Sequence, residues 1–570
     1  MGGKGEHGTA MNTIKMIVLL IFLHSAAFAQ LSPTQKRVDF EQLAGLFAKR
    51  YAFVEWKAEA LGVNALTIEN WLARAERTES DREYFALCAE YVAQLQDGHA
   101  AFLLPTNFRA WLPFGVDIYQ GKPVIDQVSR TVADQILPGD ELVSLDGEDV
   151  DSLLQRFELV IGDGNPRSRR RVAASFLTNR PQALLPEASQ VPATATVVVR
   201  RGSLELTFHL PWEREGTPYE FAGPVATPRL ESNTGTLEGL PEYLRPRESL
   251  MLYRSALDRY VRNMGTLRPA YQLPSDFRLR LGGLQSDPFF SGVFEHQGRR
   301  VGLLRIPNFN NMALRDLDLE IRFFEDNTDA LLVDVTRNPG GSGCLVEWIA
   351  QRFTRTGFQS LGASFRVTWD VLGAFESSLQ RALILGAPPD VVAELERQYS
   401  SAQAAYRAPR GFTEPLPICG TSRNIAPVMD RSGQPFGYTK PVVLLIDEMS
   451  YSSAELFAAL LQDNGRAILV GMRTNGAGGA VASHPVGHYT EASARLPQTI
   501  AVRTREIAVP GFPVTTYIEN VGVQPDVELD YMELAHPATG DQEFWKALRS
   551  VIDNTINGVA LGQSLGAQPR

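Results

Sequence analysis

Apolar, strand-like runs alternate with helix-like stretches over the second half of the chain, and this alternation limits the fold more than any other feature. The strand-like runs are Val301–Ile306, Ala330–Val335, Val442–Ile446 and Ala467–Val470, and the helix-like stretches are Gly343–Phe353 and Ser453–Gln462. Short runs with few polar residues are typical of strands that are buried on both faces. Strands that alternate with helices predict an α/β domain built on a largely parallel sheet.

Further regions precede this domain, in a chain whose 570 residues are typical of about three or four domains. Residues 30–105 are predicted to be helical, because apolar residues recur at intervals of three and four in Val38–Tyr51 and Tyr84–Leu95. Gly98 is predicted to stop the last helix, and Ala100–Leu104 to form a short strand.

Residues 112–212 contain short apolar runs separated by turns, as in a small β-rich domain. A Pro138-Gly139-Asp140 turn leads into Glu141–Leu145, and Asp146-Gly147 is typical of a tight hairpin turn. This order resembles the PDZ domain, which binds extended peptides as an added strand, and an unrelated small β domain is the alternative. The resemblance implies that the peptide-binding loop consists of Phe114, Gly115 and Val116.

The N-terminus has the parts of an export signal. Lys15 precedes the apolar run Met16–Leu23, and Ala27-Phe28-Ala29 offers a small-x-small cleavage site. The run is too short to span a membrane. We therefore expect a signal peptide at residues 1–29, no stable membrane span after its removal, and an exported protein that is periplasmic or secreted. An uncleaved anchor or a buried helix is the alternative.

Composition and cysteine spacing argue against several partners and cofactors. A net charge of −10 and a pI of about 5.5 give no reason to expect nucleic-acid binding. Three cysteines cannot all pair, and neither Cys344 nor Cys419 has a His or Cys neighbour at the spacing of a zinc site. Cys88 lies on an apolar helical face. We therefore expect no metal and no cofactor.

Ser452 lies between the strand-like run Val442–Ile446 and the helix-like stretch that begins at Ser453. A strand-to-helix turn exposes a side chain, and the free amides of a helix N-terminus can stabilise a developing negative charge. Ser452 is therefore a candidate nucleophile. The alternative is an ordinary helix N-terminus, in which Ser453 and Glu455 have capping roles.

Two other segments accompany this turn. Leu331–Gly341 is a strand that ends in an Asn-Pro-Gly-Gly loop, where glycines let backbone amides approach a ligand. Ile518–Glu528 contains a Gly-x-x-Pro-Asp motif. In this order, and with Pro441–Glu455 between them, the segments resemble the C-terminal-processing (tail-specific) serine peptidase family and its tricorn-like branch.

The resemblance implies a crotonase-like (ββα) α/β catalytic domain in which Ser452 is the nucleophile. Backbone amides of Ser453 and of the loop at Gly340 and Gly341 would form the oxyanion hole. The larger branch of the family pairs its serine with a lysine 25 residues later, and this chain has Ala477 at that position. A different base is needed, because a serine hydroxyl is a weak nucleophile at neutral pH.

The tricorn-like branch implies a histidine as that base. His99, in Gln96-Asp97-Gly98-His99, occupies the corresponding segment, although the branch has a serine where this chain has Gly98. Glu519 corresponds to the branch's glutamate and would orient the base directly or through water. His484 and His488 are the rival bases, although their spacing beside Pro485 is more typical of a surface loop.

Six segments are expected along the chain. They are a signal peptide at 1–29, a helical region at 30–105, a PDZ-like domain at 112–212, a linker or surface excursion at 213–285, a catalytic peptidase domain at 286–540, and a C-terminal helix with a tail at 541–570. Residues 366–440 interrupt the catalytic pattern and are predicted to form a lid or an edge cover. The polar stretch Pro389–Ala408 within them is predicted to be helical.

These features predict an exported, metal-independent serine endopeptidase that acts on peptides or unfolded proteins. His99 would take the proton of Ser452, and activity would rise with pH near about 6.5, where an unperturbed imidazole titrates. Two alternatives remain: a catalytically silent scaffold that binds peptides or small apolar ligands, and a hydrolase of non-peptide esters or amides. The sequence leaves the oligomeric state open.

Overall fold

The computed structural model describes residues 30–221, 240–254, 261, 263–310, 312–538 and 540–558. The predicted signal peptide at 1–29 and the predicted tail beyond residue 558 lie outside the described residues, as do parts of the predicted linker.

Four helices form the N-terminal region around one hydrophobic core. They are α1 (Pro33–Arg50), α2 (Val54–Leu61), α3 (Glu69–Arg77) and α4 (Asp81–Ala93). Ser32 and Gln35 cap the start of α1 in a reciprocal capping box, and the fixed φ of Pro33 suits the first helical position. Helix α1 confirms the helix predicted at Val38–Tyr51, and α4 confirms the one predicted at Tyr84–Leu95.

Gly98 does not stop α4, which ends five residues earlier at Ala93. A Cβ atom on residue 98 would lie 2.5 Å from Asn475 Oδ1 and 3.1 Å from the Tyr451 ring. The position is therefore limited by close packing against segments that are distant in sequence, around Ser452 and Asn475.

Ten strands and two helices follow. They are β1 (Ala101–Leu103), β2 (Arg109–Trp111), β3 (Phe114–Tyr119), β4 (Lys122–Val128), β5 (Glu141–Leu145), β6 (Glu148–Asp149), α5 (Val150–Glu158), α6 (Pro166–Thr178), β7 (Asn179–Pro181), β8 (Thr194–Arg201), β9 (Leu204–Pro211) and β10 (Glu213–Glu215). Strands β3, β4, β5, β8 and β9 form an antiparallel sheet, and β6 pairs with β5. Asp146 and Gly147 both have positive φ, as the predicted tight turn requires.

The rest of the described chain is mixed α/β. Its helices are α7 (Arg245–Glu248), α8 (Leu314–Asn327), α9 (Gly343–Ala350), α10 (Trp369–Ile384), α11 (Pro389–Arg407), α12 (Ser453–Asp463), α13 (Tyr531–Leu534) and α14 (Gln542–Ile556). Its strands are β11 (Leu252–Arg254), β12 (Arg278–Leu281), β13 (Phe290–His296), β14 (Arg299–Arg305), β15 (Ala330–Asp334), β16 (Gly340–Ser342), β17 (Phe358–Gln359), β18 (Gly362–Phe365), β19 (Leu416–Pro417), β20 (Asn424–Ile425), β21 (Val428–Met429), β22 (Pro435–Phe436), β23 (Val442–Ile446), β24 (Ile468–Gly471), β25 (Val481–Pro485), β26 (Ser493–Pro497), β27 (Thr499–Ile507), β28 (Thr515–Tyr517) and β29 (Val527–Glu528).

A seven-stranded sheet in the order β12-β13-β14-β15-β23-β24-β29 forms the centre of this region. Neighbouring strands run parallel from β14 to β29, which confirms the predicted parallel sheet. Leu331 and Val333 pack into the core on one face, and Ala330 and Leu332 into the core on the other. Because both faces are covered, these strands show no alternation of polar residues.

The segment predicted as a linker at 213–285 contributes to regular structure instead. Strand β12 is the edge of the central sheet, and β11 pairs antiparallel with β16. Three of the four residues of β12 are exposed, as is common for an edge strand. Arginine and leucine alternate along β12, a short strand signal that the linker prediction did not include.

The interruption predicted at 366–440 contains the helical hairpin α10–α11, and α11 confirms the helix predicted at Pro389–Ala408. A buried disulfide joins Cys344, in α9, to Cys419 of this interruption. Cys88 is a free, buried core residue, as expected. Glu248 lies close to the two bridged sulfurs, and these three residues are the one group of potential metal ligands within the described ranges. None of the helices described here has the length and apolarity needed to cross a bilayer.

Candidate active site

Ser452 occupies a strained turn between β23 and α12. Its φ is 63° and its ψ is −119°, which L-residues with a Cβ rarely adopt. Backbone strain of this kind persists only where surrounding contacts hold it, and it is concentrated at functional sites. Ser452 is fully buried, and its Oγ has no hydrogen-bond partner among the described residues. Ser452 and Glu455 thus have the layout of a capping box, but the Ser452 hydroxyl makes no hydrogen bond of good geometry within it.

Glu455 connects the turn around Ser452, called here the nucleophile turn, to the glycine-rich loop Asn475–Gly479 that follows β24. Its buried carboxylate accepts hydrogen bonds from Ser452 N (2.8 Å), Thr474 Oγ1 (2.7 Å), Gly476 N (2.6 Å) and Ala477 N (2.8 Å). Burial raises the pKa of Glu455, and these donors oppose that shift. Helix-end chemistry, the role considered from sequence, is therefore only part of what this side chain does.

Two backbone amides near Ser452 are suited to an oxyanion hole. Ser453 N–H is the first amide of α12 and has no intrahelical acceptor. Gly341 lies against Phe309, and a Cβ on it would be 2.4 Å from the Phe309 carbonyl carbon. The Gly340 amide donates to Asn338 Oδ1 (2.8 Å), so of the three predicted donors Gly340 is already engaged. Ser453 Oγ donates to Gly341 O (3.0 Å) and fixes the spacing between the two segments.

The glycine strand β16 already pairs with another part of the chain. Strand β11 runs antiparallel to it, with Tyr253 opposite Gly341 and Arg254 opposite Gly340. The edge of β16 next to the nucleophile turn therefore accepts extended backbone.

His99 is brought to the same region from the N-terminal helices. The neighbouring residue, Gly98, packs against Tyr451 and Asn475, which lie on the nucleophile turn and the glycine-rich loop. His99 is fully buried, its N–H donates to Asp97 Oδ1 (2.8 Å), and neither ring nitrogen has a partner within the described residues. Burial lowers the pKa of His99 well below its usual value, and the charges of Arg495 and Lys57 lower it further. The pKa near 6.5 assumed from sequence is therefore not the pKa of this imidazole.

Glu519 lies beside the His99 segment in a buried group of charges. Its carboxylate pairs with the Lys57 ammonium and accepts a hydrogen bond from Gly478 N (3.0 Å). Burial and the Asp97 carboxylate raise the pKa of Glu519 to about 8, although Lys57 opposes the shift. Asp97 in turn accepts a hydrogen bond from the Tyr51 hydroxyl (2.8 Å).

The rival histidines make contacts of a different kind. His484 Nε2 lies 3.3 Å from Gln498 Nε2, and burial lowers the pKa of His484 to about 4. The His488 N–H donates to Asp39 of α1, and its ring packs edge-on against Tyr489. The charges that act most strongly on His484 are Arg50 and Asp370, which belong to neither the nucleophile turn nor the glycine-rich loop.

Phe114, Gly115 and Val116 begin strand β3 and do not form a loop. Phe114 pairs with Val128 and Gly115 with Gln127, so their backbone is used within the sheet. The cavity beside Gly115 and Val116 has a volume of only about 10 Å³, about enough for one water molecule.

Arg171 of α6 and Arg337 fill the space next to this cavity. Arg171 donates to Asp117 of β3 (2.9 and 3.0 Å) and to Asp447 (3.2 Å). Arg337, two residues before the Pro-Gly-Gly segment, pairs with the same Asp117 (3.0 Å), and its backbone N–H donates to Asp447 Oδ1 (2.9 Å). These two arginines and two aspartates form one buried cluster. It joins the β-rich domain to the loop before Gly340 and to the residues that precede Ser452.

A second link reaches the residue before Ser452. The Tyr451 hydroxyl contacts Asp163, and it lies 2.6 Å from Ser168 Oγ at the start of α6. Asn475 Nδ2 also donates to Ser168 Oγ (3.0 Å). Helix α6 therefore touches both the nucleophile turn and the glycine-rich loop.

Known families match both of the domains joined in this way. Residues 108–220 match the PDZ domain, and residues 300–529 match peptidase family S41. The match over residues 300–529 confirms the predicted resemblance to this serine peptidase family, and the match over residues 108–220 confirms the predicted resemblance to the PDZ domain.

Solved structures and curated proteins share this architecture over nearly the whole chain. A structure of mature CPAF complexed with lactacystin has a TM-score of 0.72 and 21% identity, and covers 92% of this chain and 99% of its own. Mature CPAF alone gives a TM-score of 0.68 at 22% identity, with 93% and 98% covered. An uncharacterized protein of Chlamydia muridarum (strain MoPn / Nigg) is 24% identical over 611 residues, and a protein of Chlamydia trachomatis serovar D is 24% identical over 577 residues. They cover 96% and 91% of this chain, and 98% and 92% of their own lengths. The TM-scores show that the two solved structures share the fold of this chain.

Three buried cations that connect the segments of the candidate site have no signal in the local sequence. Lys57, Arg171 and Arg337 are buried cations whose partners lie far along the chain. Their local sequence resembles that of any solvated charge, and no spacing rule connects them to Ser452.

Proposed function

We propose that this protein is an exported serine endopeptidase that cleaves peptides or unfolded proteins through an acyl-enzyme on Ser452, with His99 as the general base. The observation that carries the proposal is the strained turn at Ser452, with a hydroxyl free of cap bonding beside the Ser453 and Gly341 amides. Such a turn has a cost in folding and a use in catalysis. A crotonase-like arrangement of the S41 domain is part of the same proposal.

The chemistry begins with attack of Ser452 Oγ on the carbonyl carbon of the scissile peptide. The oxyanion would be held by Ser453 N–H and Gly341 N–H, a contribution of about 10²–10³ in rate. His99 would accept the serine proton and return it to the leaving amine, a contribution of about 10²–10⁴. Its lowered pKa supports this role, because the imidazole is neutral and able to accept a proton at neutral pH.

Glu519 would stabilise the imidazolium that forms during the reaction. Its place in the buried group with Lys57 and Asp97 supports this role, and a water molecule could bridge the carboxylate to the imidazole.

Antiparallel pairing along β16 supports an extended peptide as the substrate. The backbone of β11 already occupies this edge, and strand addition is a common way to bind a peptide main chain. Because Ser452 and His99 are fully buried, a substrate has to displace the segments that cover them, and a peptide that pairs with β16 has to displace β11. Recruitment of a peptide by Phe114, Gly115 and Val116 would likewise require the PDZ cavity to open.

Export is supported by the buried Cys344–Cys419 disulfide, because structural disulfides persist in oxidising compartments. Together with the predicted signal peptide, it favours a periplasmic or secreted enzyme.

Covalent labelling with a fluorophosphonate tests the nucleophile. The wild-type protein and the control variant Ser400→Ala, an exposed serine on α11, should label equally, and Ser452→Ala should not label. His99→Ala should fold and label about 10²–10⁴-fold more slowly. Failure of the wild-type protein to label between about pH 6 and pH 9, a range that includes the pKa of about 8 of Glu519, would show that the protein is not a serine hydrolase.

A digest of a peptide library then separates a peptidase from a hydrolase of esters or amides. Cleavage of peptide bonds that is lost in Ser452→Ala supports the proposal. Turnover of small esters with no peptide product favours the alternative hydrolase.

A further inference from the structure

Lys57 is a fully buried lysine of α2 whose three ammonium hydrogens all have acceptors. It pairs with the Glu519 carboxylate, and it donates to Asn520 Oδ1 (2.6 Å) and to Gln96 O (3.1 Å). Lysine is almost never fully buried without such partners, because desolvation of an ammonium is costly. The side chain therefore has a defined structural task inside the molecule.

The acceptors of Lys57 belong to the two segments that carry His99 and Glu519. Asn520 Nδ2 also donates to Gln96 O (2.7 Å), so the two segments meet at one carbonyl oxygen. Lys57, from a third segment, bonds to both of these segments. Glu519 also accepts a hydrogen bond from Gly478 N (3.0 Å), which connects the group to the glycine-rich loop.

Both segments have an unfavourable backbone at the residues that Lys57 contacts. Gln96 has a φ of 49° and Asn520 a φ of 61°, in the left-handed region that side chains disfavour. Such conformations persist where neighbouring contacts over-determine them. The ammonium supplies contacts to both residues at once, which ties the orientation of the His99 segment to that of Glu519.

We propose that Lys57 is a positioning residue of the active site, whose ammonium holds the Gln96–His99 turn and Glu519 in one fixed arrangement. The inference rests on the proposed function, since it gives Lys57 a task in aligning the proposed base with its carboxylate. No proton transfer to or from substrate is assigned to Lys57.

The charges around His99 agree with this task. Arg495 and Lys57 are the cations that lower the pKa of the imidazole, Asp97 accepts the His99 backbone N–H, and Glu519 pairs with Lys57. Without the ammonium, the Asp97 charge would act on Glu519 without the opposing effect of Lys57, and the pKa of Glu519 would rise further. Lys57 thus favours the ionised carboxylate that an imidazolium needs.

A double-mutant cycle on the rate constant of fluorophosphonate labelling tests the proposal. Lys57→Met should slow labelling about 10- to 100-fold, which corresponds to loss of a charge-assisted hydrogen bond. Lys57→Arg should recover part of the rate, because it keeps the cation. Lys49→Met removes an exposed lysine of α1 and should label at the wild-type rate.

The decisive comparison is made in the Glu519→Gln background. If Lys57 acts through Glu519, the variant Lys57→Met with Glu519→Gln should label no more slowly than Glu519→Gln alone. The same slowing in both backgrounds, or a Lys57→Met protein as fast as wild type, would overturn the proposal. The double variant removes both charges of the buried Lys57–Glu519 pair, so this comparison remains available if Lys57→Met alone fails to fold.

The outcome is separable from a failure of the proposed function. If the wild-type protein does not label, the serine mechanism is wrong. If it labels and the Lys57 variants label equally fast, only the role of Lys57 is wrong. A further sign of lost alignment is a fall in kcat per active site, counted by complete fluorophosphonate labelling, with KM for a small ester constant, because unfolded protein is then left out of the count.

Discussion

Ser452 combines a strained backbone with a hydroxyl that no neighbour uses, and the side chains around it explain how that state is held. Glu455 accepts hydrogen bonds from the backbone of the nucleophile turn and of the glycine-rich loop. The segments of His99 and Glu519, which are far apart in the sequence, pack against these two segments. Each of these groups is buried, so each contact is made where an unsatisfied polar atom is costly.

The pH dependence of activity should follow Glu519 and not an ordinary imidazole. The lowered pKa of His99 keeps that ring neutral through the neutral range, whereas Glu519 retains its proton until about pH 8. Since the ionised carboxylate is the form that stabilises an imidazolium, kcat/KM should rise with pH through about 8. A pH–rate profile measures this, and Glu519→Gln should lose that limb. A single limb at about 6.5 would contradict the expectation.

Substitution of Glu455 should damage the site without removing a reacting group. Glu455→Gln keeps the shape and turns an amide NH2 toward backbone N–H donors, at a cost of about 1.5–3 kcal/mol. We expect a lower thermal midpoint and a slower labelling rate at Ser452. Glu396→Gln, an exposed position on α11, is the matched control and should change neither. Equal labelling rates in the two variants would show that Glu455 does not hold the turn.

Helix α6 of the PDZ domain is the element that connects the two domains at the site. Ser168 and Arg171, one turn apart on this helix, face the catalytic side, where they meet Tyr451 and Asp447. The same arrangement leaves little room for a peptide beside β3, because buried side chains fill the cavity there. The PDZ domain therefore contacts the nucleophile turn and the loop at Gly340 and Gly341, and holds them in place.

Arg171→Met should therefore lower kcat from a position outside the S41 domain. It leaves the buried carboxylates of Asp117 and Asp447 without this cation, a loss of about 3–5 kcal/mol for a broken buried pair. Steady-state kinetics on a small ester should show a reduced kcat with KM little changed. Arg170→Met, on the exposed side of the same helix and paired with Asp151, should behave as wild type. An unchanged kcat in Arg171→Met would mean that the cluster is dispensable for catalysis.

The molecule as a whole is joined by contacts between segments that are distant in sequence. The N-terminal helices supply His99 and Lys57, the PDZ domain supplies Arg171, and the S41 domain supplies Ser452 and Glu519. The Cys344–Cys419 disulfide closes a loop of 75 residues that includes the α10–α11 hairpin. It thereby ties the helix after the glycine strand to the interruption at 366–440.

Loss of this disulfide should lower stability more than any surface change. The chain-entropy relation gives about 4 kcal/mol for a loop of 75 residues. A variant with Cys344→Ser and Cys419→Ser should unfold at a lower denaturant concentration than the wild type, and reductant should lower the wild-type midpoint but not that of the variant. A wild-type midpoint that does not respond to reductant under denaturing conditions would indicate that the two thiols are not bridged.

Much of the fold was predictable because its signals are local. Periodicity predicted α1, α4, α11 and the parallel strands β15 and β23, and the Asp146-Gly147 turn was predicted from residue chemistry alone. Strand β12 was missed although arginine and leucine alternate along it, because the alternation covers only four residues. The pairing of β11 with β16 was not predictable, since a three-residue strand carries no periodic signal.

The sequence by itself determined the parallel sheet, the PDZ order and the position of Ser452 between a strand and a helix, because these depend on neighbouring residues. Only the tertiary structure decided the pKa values of the site residues and the ion pairs that hold them in place. Lys57 and Glu519 lie 462 residues apart, and burial, not local sequence, lowers the pKa of His99 and raises that of Glu519. Desolvation and ion pairing depend on which distant segments meet, and folding fixes that for the whole chain at once.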